Sequence, residues 1–323
     1  MDNSITTEKH CGYKKKILTT ESMLFIAYIV IFVFFSIASK HFFSIKNFLN
    51  ICLYGSIMGI SAVGLTMVLL TGGIDVSVGA VMGLVGVVMA SLIQGGTPLV
   101  FVILIGLAIG TLCGFLNGIF ITKLKITPLI VTLSTMAIFR GLAFVFCGGL
   151  SIVITNQGFK WFGREYVLGV PVGVWIMIII YLLFAYILKN FKFGRRVYAT
   201  GGNEKASFLS GINIDKTKIN VYTITGLLAG LSGFLMAAQT GSGQPQAGNG
   251  MEMDVIAASV LGGTSLSGGK GKVVGTFIGV LLMATLNNGM VLINIPSFYQ
   301  QIVKGCVLLL AVFMDSLRTR RAE

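Results

Sequence analysis

The sequence predicts an all-α fold, a polytopic transmembrane helical bundle of about ten spans with both the N- and C-termini in the cytoplasm. Three observations predict it. Of 323 residues, 55% are hydrophobic and only 11% charged, with a mean hydropathy of +0.90, whereas about a quarter of a soluble domain is charged. The apolar residues fall in runs close to the ~20 that a helix needs to cross the hydrocarbon core. The basic residues then sort by side, as set out below.

Residues 1–22 are polar and basic and read as a cytoplasmic tail. The apolar run that follows, Met23–Ser39, has the flank Lys40-His41-Phe42-Phe43 rather than a small-residue cleavage site, so it reads as a retained first span instead of a signal peptide. A transmembrane domain covers 23–316, with candidate spans near 23–39, 51–70, 78–94, 98–122, 127–150, 168–188, 219–240, 254–268, 273–294 and 298–316. Residues 317–323 form a second cytoplasmic tail. The eighth span is doubtful, because 251–261 is short for a crossing and could be re-entrant.

Charge sidedness arbitrates. With ten crossings the inner segments hold Lys9, Lys14–Lys16, Lys123, Lys125, the seven Lys and Arg of 189–218, Lys270, Lys272, Arg318, Arg320 and Arg321. The outer ones hold Lys40, Lys46, Lys160 and Arg164. Dropping the eighth span would put Lys270, Lys272 and the terminal arginines outside. Topology thus accounts for the net charge of +13 better than nucleic acid does, since no basic amphipathic helix or base-stacking pattern is present. Five scattered cysteines without a C-x-x-C and two histidines argue against metal sites and disulfides, and no cofactor is expected.

Glycines recur every four residues at Gly106, Gly110, Gly114 and Gly118, at Gly226 and Gly230, and at Gly271, Gly275 and Gly279. That spacing puts them on one helix face, where small residues let backbones approach, more naturally within one subunit than between two. GGIDVSVG (Gly72–Gly79) is weakly echoed by GGTSLSGG (Gly262–Gly269). The second stretch continues as GKGK but is no phosphate-binding loop, because Gly271 follows Lys270 and Thr264 stands where the first glycine is needed.

Asp75 is the only acidic residue between Glu21 and Glu165. It reads either as a residue of the substrate path or gate, following the helix-weakening pair Gly72-Gly73, or as a cap at a tight turn. Ser77 is grouped with these three as path or gate. Arg140 and Lys304 lie inside spans and call for structural partners, a carboxylate or backbone carbonyls. Carboxylates that could hold a coupling ion are scarce, with only Asp254 and Asp315 near span ends, which favours an external source of energy. The polar island 189–218 is where such an engine would act.

The stretches LTGGIDVSVGAVMGL, GRRVYATGGNEKASFLSGINIDKTKI, IAASVLGGTSLSGGKGKVVGTFIG and YQQIVKGCVLLLAV resemble the permease subunit of bacterial ABC importers for monosaccharides, the ribose, xylose, arabinose and galactose branch, and most of all its ribose-type member. The likeness runs from about Phe42 to Met314. It implies a permease in the cytoplasmic (inner) membrane that is not itself an enzyme and works by alternating access. The implied partners are a second permease copy, forming a homodimer, a cytoplasmic ATPase with two modules in one polypeptide, and a periplasmic or lipid-anchored sugar-binding protein. It also implies that the cytoplasmic loop 189–218 contains a coupling helix, here Gly201, Gly202, Asn203, Glu204 and Ala206 through Gly211. The residues agree, since Asn203 can cap a helix from Glu204 to Leu209 and Gly211 can end it. Lys189, Lys192, Arg195 and Arg196 would then serve orientation alone.

A neutral polyol needs hydroxyl and amide partners, for which Thr132, Ser134, Asn287 and Asn288 are of the right type. Rival readings keep the machinery but carry inositol, a furanose or a signal such as autoinducer-2, or replace it by a stand-alone secondary sugar carrier.

Overall fold

The computed structural model describes residues 20–320, with side chains described from 24 to 317. Of the expected tails, residues 1–19 and 321–323, with Lys9, Lys14–Lys16 and Arg321, and the side chains of Arg318 and Arg320 lie outside the described residues, while 20–22 and 317–320 belong to the first and last helices. Helices dominate in the order α1 Thr20–Ala38, α2 Ile45–Leu70, α3 Val78–Gln94, α4 Leu99–Lys123, α5 Pro128–Cys147, α6 Gln157–Arg164, α7 Val172–Asn190, α8 Lys192–Gly202, α9 Glu204–Leu209, α10 Ile214–Thr240, α11 Met251–Leu261, α12 Val273–Leu292 and α13 Ser297–Arg320. Two minimal antiparallel ladders join Ile152–Val153 to Ser242–Gly243 and Tyr166–Val167 to Val170–Pro171.

Seven helices (α2, α4, α5, α7, α10, α12 and α13) are each long and apolar enough to cross a membrane, and α1 and α3 include shorter apolar stretches. The expected eighth span, 254–268, is helical only to Leu261. Eleven residues reach about 16 Å, half of a ~30 Å hydrocarbon core. The helix stops because Gly262 packs against the Gly275 backbone and Gly263 turns at φ +88°.

The centre of the bundle is α2 and α10, with 89% and 72% of their most apolar windows buried, whereas α13 is 6% buried and shows its apolar face to the surroundings. Glycine makes the central seams possible. A Cβ on Gly110 would meet the backbone of Gly226 and Gly230, one on Gly114 would collide with Tyr222 O, and one on Gly118 would lie 2.8 Å from Ile219 Cα. From Gly110 to Gly118 the glycine row of α4 is therefore spent on α10 of the same chain, while Gly106 faces Met89 of α3. Hydroxyl pairs add cross-links, Ser61 Oγ to Ser232 Oγ at 2.9 Å and Thr66 Oγ1 to Thr276 Oγ1 at 2.8 Å.

The two ends of the bundle differ in charge. Lys123, Lys125, Lys270 and Lys272 share an end with α8 and α9, while Lys40, Lys46, Lys160 and Arg164 fall at the other.

Candidate functional site

Two passages of the chain are part helix and part extended, and they run in opposite senses. In the first, α2 ends at Leu70 and residues 71–77 continue without helix until α3 starts at Val78. Ser77 hydrogen-bonds Asn117, which precedes the end of α4 by six residues, so the extended piece has climbed about 9 Å by that point. In the second, residues 241–250 descend along the glycine face of α3: Gly243 lies against Gly86 and Ala90, Ala247 and Pro245 against Gly83, and Gly248 against Gly79. α11 then completes the passage towards α8. The first turns of α3 and α11 meet where Gly79 touches Glu252, an arrangement of facing half-helices.

Asp75 lies at the head of the first piece and is 2% exposed. Its Oδ1 accepts from Ser77 N at 2.8 Å and Ser77 Oγ at 2.7 Å, and Ser77 Oγ in turn accepts from Asn117 Nδ2 at 2.9 Å. The neighbouring Ile74 O accepts from Tyr222 OH at 3.3 Å and Thr132 Oγ1 at 3.4 Å. Asp75 thus closes a local turn ahead of α3, but inside the bundle between α4 and α10 rather than at a surface. Gly72 has φ +76°, and a Cβ on Gly73 would lie 2.5 Å from Tyr222 OH. The four sequence-selected residues Gly72, Gly73, Asp75 and Ser77 belong to one turn, buried at Gly73, Asp75 and Ser77 and exposed at Gly72. Thr132 joins it, while Ser134 is exposed on α5.

The second candidate region is the bracket formed by α8 and α9. Asn203 Oδ1 caps α9 by accepting from Ala206 N at 2.9 Å, and Gly211 turns at φ +79° after it. Glu204 pairs with Lys218 at 2.9 Å. The sequence-selected residues divide here. Gly201 faces the bundle, whereas Glu204 is exposed, as are Phe208 (69%) and Leu209 (85%) beside it. These two apolar side chains stand at the polar end of the molecule, along a cleft of about 1200 Å³ bounded by α9 and the start of α10.

Sequence reasoning missed the ties that join the bracket to the passages. Tyr198 OH donates to Gly271 O at 2.9 Å; burial pushes this phenol up from its ordinary value, Lys272 opposing in part, so it stays a donor. Gly269 N donates to Leu70 O at 2.9 Å. The only sequence signal was the echo between the two glycine stretches, which come into contact here.

The intramembrane cations find structural partners. Arg140 Nη1 donates to Pro245 O and Ala247 O, each at 2.7 Å, and so pins 241–250 to α5. Lys304 pairs with Asp254 at 2.7 Å, with Tyr54 OH at 3.2 Å on the same oxygen. Asp315 accepts from Leu266 N at 3.0 Å. Among the described residues no cluster of His, Cys, Asp and Glu that could hold a metal comes together.

A helical membrane protein with interrupted half-helices and a capped bracket at its more basic end has the build of a transport permease. Residues 47–312 match the family described as branched-chain amino acid transport system / permease component, and the chain belongs to that family. It is 46% identical to the ribose import permease protein RbsC of Bacillus subtilis over 90% of this chain and 91% of that one. It is 44% identical to RbsC of Escherichia coli K12 over 97% and 99%, and 35% identical to the xylose transport system permease protein XylH of the same organism over 92% and 91%. No solved structure matches.

Proposed function

We propose that this chain is the membrane permease subunit of an ATP-driven, binding-protein-dependent importer of ribose or a ribose-like monosaccharide, in the bacterial inner membrane. The observation that carries the proposal is the near-full-length similarity to ribose import permeases, which exceeds that to the xylose protein. The chain is a transport component and not an enzyme, with ATP hydrolysed on a cytoplasmic partner.

The geometry supports such a partner. Phe208 and Leu209 stand exposed at the end of the bundle richer in Lys and Arg, on a helix whose cap fixes its direction. The excess of Lys and Arg at that end favours its being cytoplasmic, where the ATPase would seat against α9. Asp254 is paired through Oδ2 with Lys304, whose positive charge opposes binding of a coupling cation there, and this favours an external engine. We take the ATPase to be a fused double module, the permease to work as a homodimer, and the tails 1–22 and 317–323 to lie in the cytoplasm.

In this mechanism ATP binding draws the two ATPase modules together and α9 moves with them, the coupling residues being Gly201, Gly202, Asn203, Glu204 and Gly211. The turn Gly72-Gly73, Asp75 and Ser77 is the gate. Contacts that differ between the two states supply the driving free energy. Proteoliposomes carrying the permease, its ATPase and its binding protein should accumulate D-ribose only with ATP inside the ATPase-facing compartment. Ribose accumulation by the permease alone would contradict the proposal.

A further inference from the structure

We infer that Gly201 is a positioning residue for energy coupling: the backbone of Gly201 and Gly202, seated on Leu70 and on the turn Gly268–Gly269, forms a joint without side chains that carries movement of α9 to the gate turn 71–77. The inference rests on the coupling role proposed above for the α8–α9 bracket.

The bracket moves as a unit. Ser207 Oγ of α9 donates to Ala199 O of α8 at 2.7 Å, and Asn203 caps α9 directly after α8. Side chains tie it to the bundle through Val197 in the core, Tyr198 on Gly271 O and Glu204 on Lys218, but the contact at Gly201 itself is backbone on backbone. A Cβ on Gly201 would overlap Leu70 O and lie 2.7 Å from Gly269 N. One on Gly268 would lie 2.8 Å from Gly201 O and 3.0 Å from Gly72 N, and one on Gly269 would lie 2.7 Å from Gly202 Cα. Gly269 N is already bonded to Leu70 O, so three segments of main chain meet within van der Waals distance.

Such a contact has no rotamers through which displacement can be absorbed, and close-packed matter transmits strain. Leu70 is also the last residue of α2, so what moves it moves the start of 71–77. Glycine at 201 is not demanded by backbone conformation, because the residue is helical and absent from the positive-φ positions. In a helix it costs about 1 kcal/mol relative to alanine. The closeness of Leu70 and Gly269 accounts for it. Gly202, one residue on, has open space at its Cβ position. Tyr198, through Gly271 O, provides a second and lighter tie to the same turn.

The test uses the complete complex in proteoliposomes, reading ATP hydrolysis with and without binding protein plus D-ribose, together with the amount of ATPase retained. Gly201→Ala should retain the ATPase and basal hydrolysis while stimulation falls about tenfold. Tyr198→Phe, which adds no atoms, should lower stimulation about threefold. A merely structural defect would lower basal and stimulated rates together and leave their ratio unchanged. Gly201→Ala that inserts, retains ATPase and is stimulated like the wild type overturns the inference; should that variant fail to insert, wild-type stimulation of Tyr198→Phe overturns it. Absence of stimulation in the wild type would instead strike the importer reading on which the inference rests.

Discussion

The first interrupted passage, 71–77 leading into α3, is held by side chains from three helices and begins at the backbone junction with α8. The second, 241–250 leading into α11, is held by Arg140, by the short pairing of Gly243 with Ile152, and by the glycine face of α3. The difference separates a piece that communicates with the α8–α9 end from one locked to α3 and α5. Both converge on Gly79, so under the proposed mechanism the first turn of α3 is where the gate segment meets the one pinned by Arg140.

That contrast can be broken most severely at the meeting point. Gly79→Val drives side-chain atoms into Gly248 O and Glu252 and should cost about 3 kcal/mol or more, read as lost melting temperature and poor recovery from membranes. Freeing the locked segment comes next. Arg140→Met leaves two carbonyls unpaired and should cost about 2–3 kcal/mol, with transport falling in parallel with stability; Arg140→Lys should recover only part, since its ammonium is more strongly hydrated and costs more to bury.

The movable segment should respond differently. Asp75→Asn keeps an acceptor for Ser77 N and Oγ but puts an amide where the second carboxyl oxygen lies, costing about 1 kcal/mol, while ribose transport falls more than stability does. Equal losses would remove the distinction between gate and scaffold. The smallest effect belongs to the bracket. Asn203→Ala should loosen α9 by about 1 kcal/mol without changing the global melting temperature, seen as weaker retention of the ATPase.

Much of this was legible in the residues. Composition and run length identify a helical membrane protein, and the cap-and-glycine pattern around Glu204–Leu209 delimits α9 because capping is local chemistry. The four-residue glycine spacing in α4 shows a packing face, and the structure adds that α10 receives it. The end of α11 at Leu261 was harder to read, because charge sidedness calls for a crossing before Lys270 while the glycines of GGTSLSGG break the helix. The junction of Leu70, Gly201 and Gly269 was invisible for a different reason. Backbone contacts between segments far apart in sequence leave no side-chain signature except glycine, and this chain has 42 of them. The pairing of Lys304 with Asp254 likewise depends on how α11 and α13 lie together, which no local pattern encodes.

In the proposed mechanism the engine moves one interrupted passage and leaves the other in place. Hydrogen exchange of the permease–ATPase complex, compared with and without a non-hydrolysable ATP analogue, tests it most directly. Amides in 71–77 should change protection while those in 241–250 stay unchanged. Equal change in both segments, or change confined to 241–250, would contradict it.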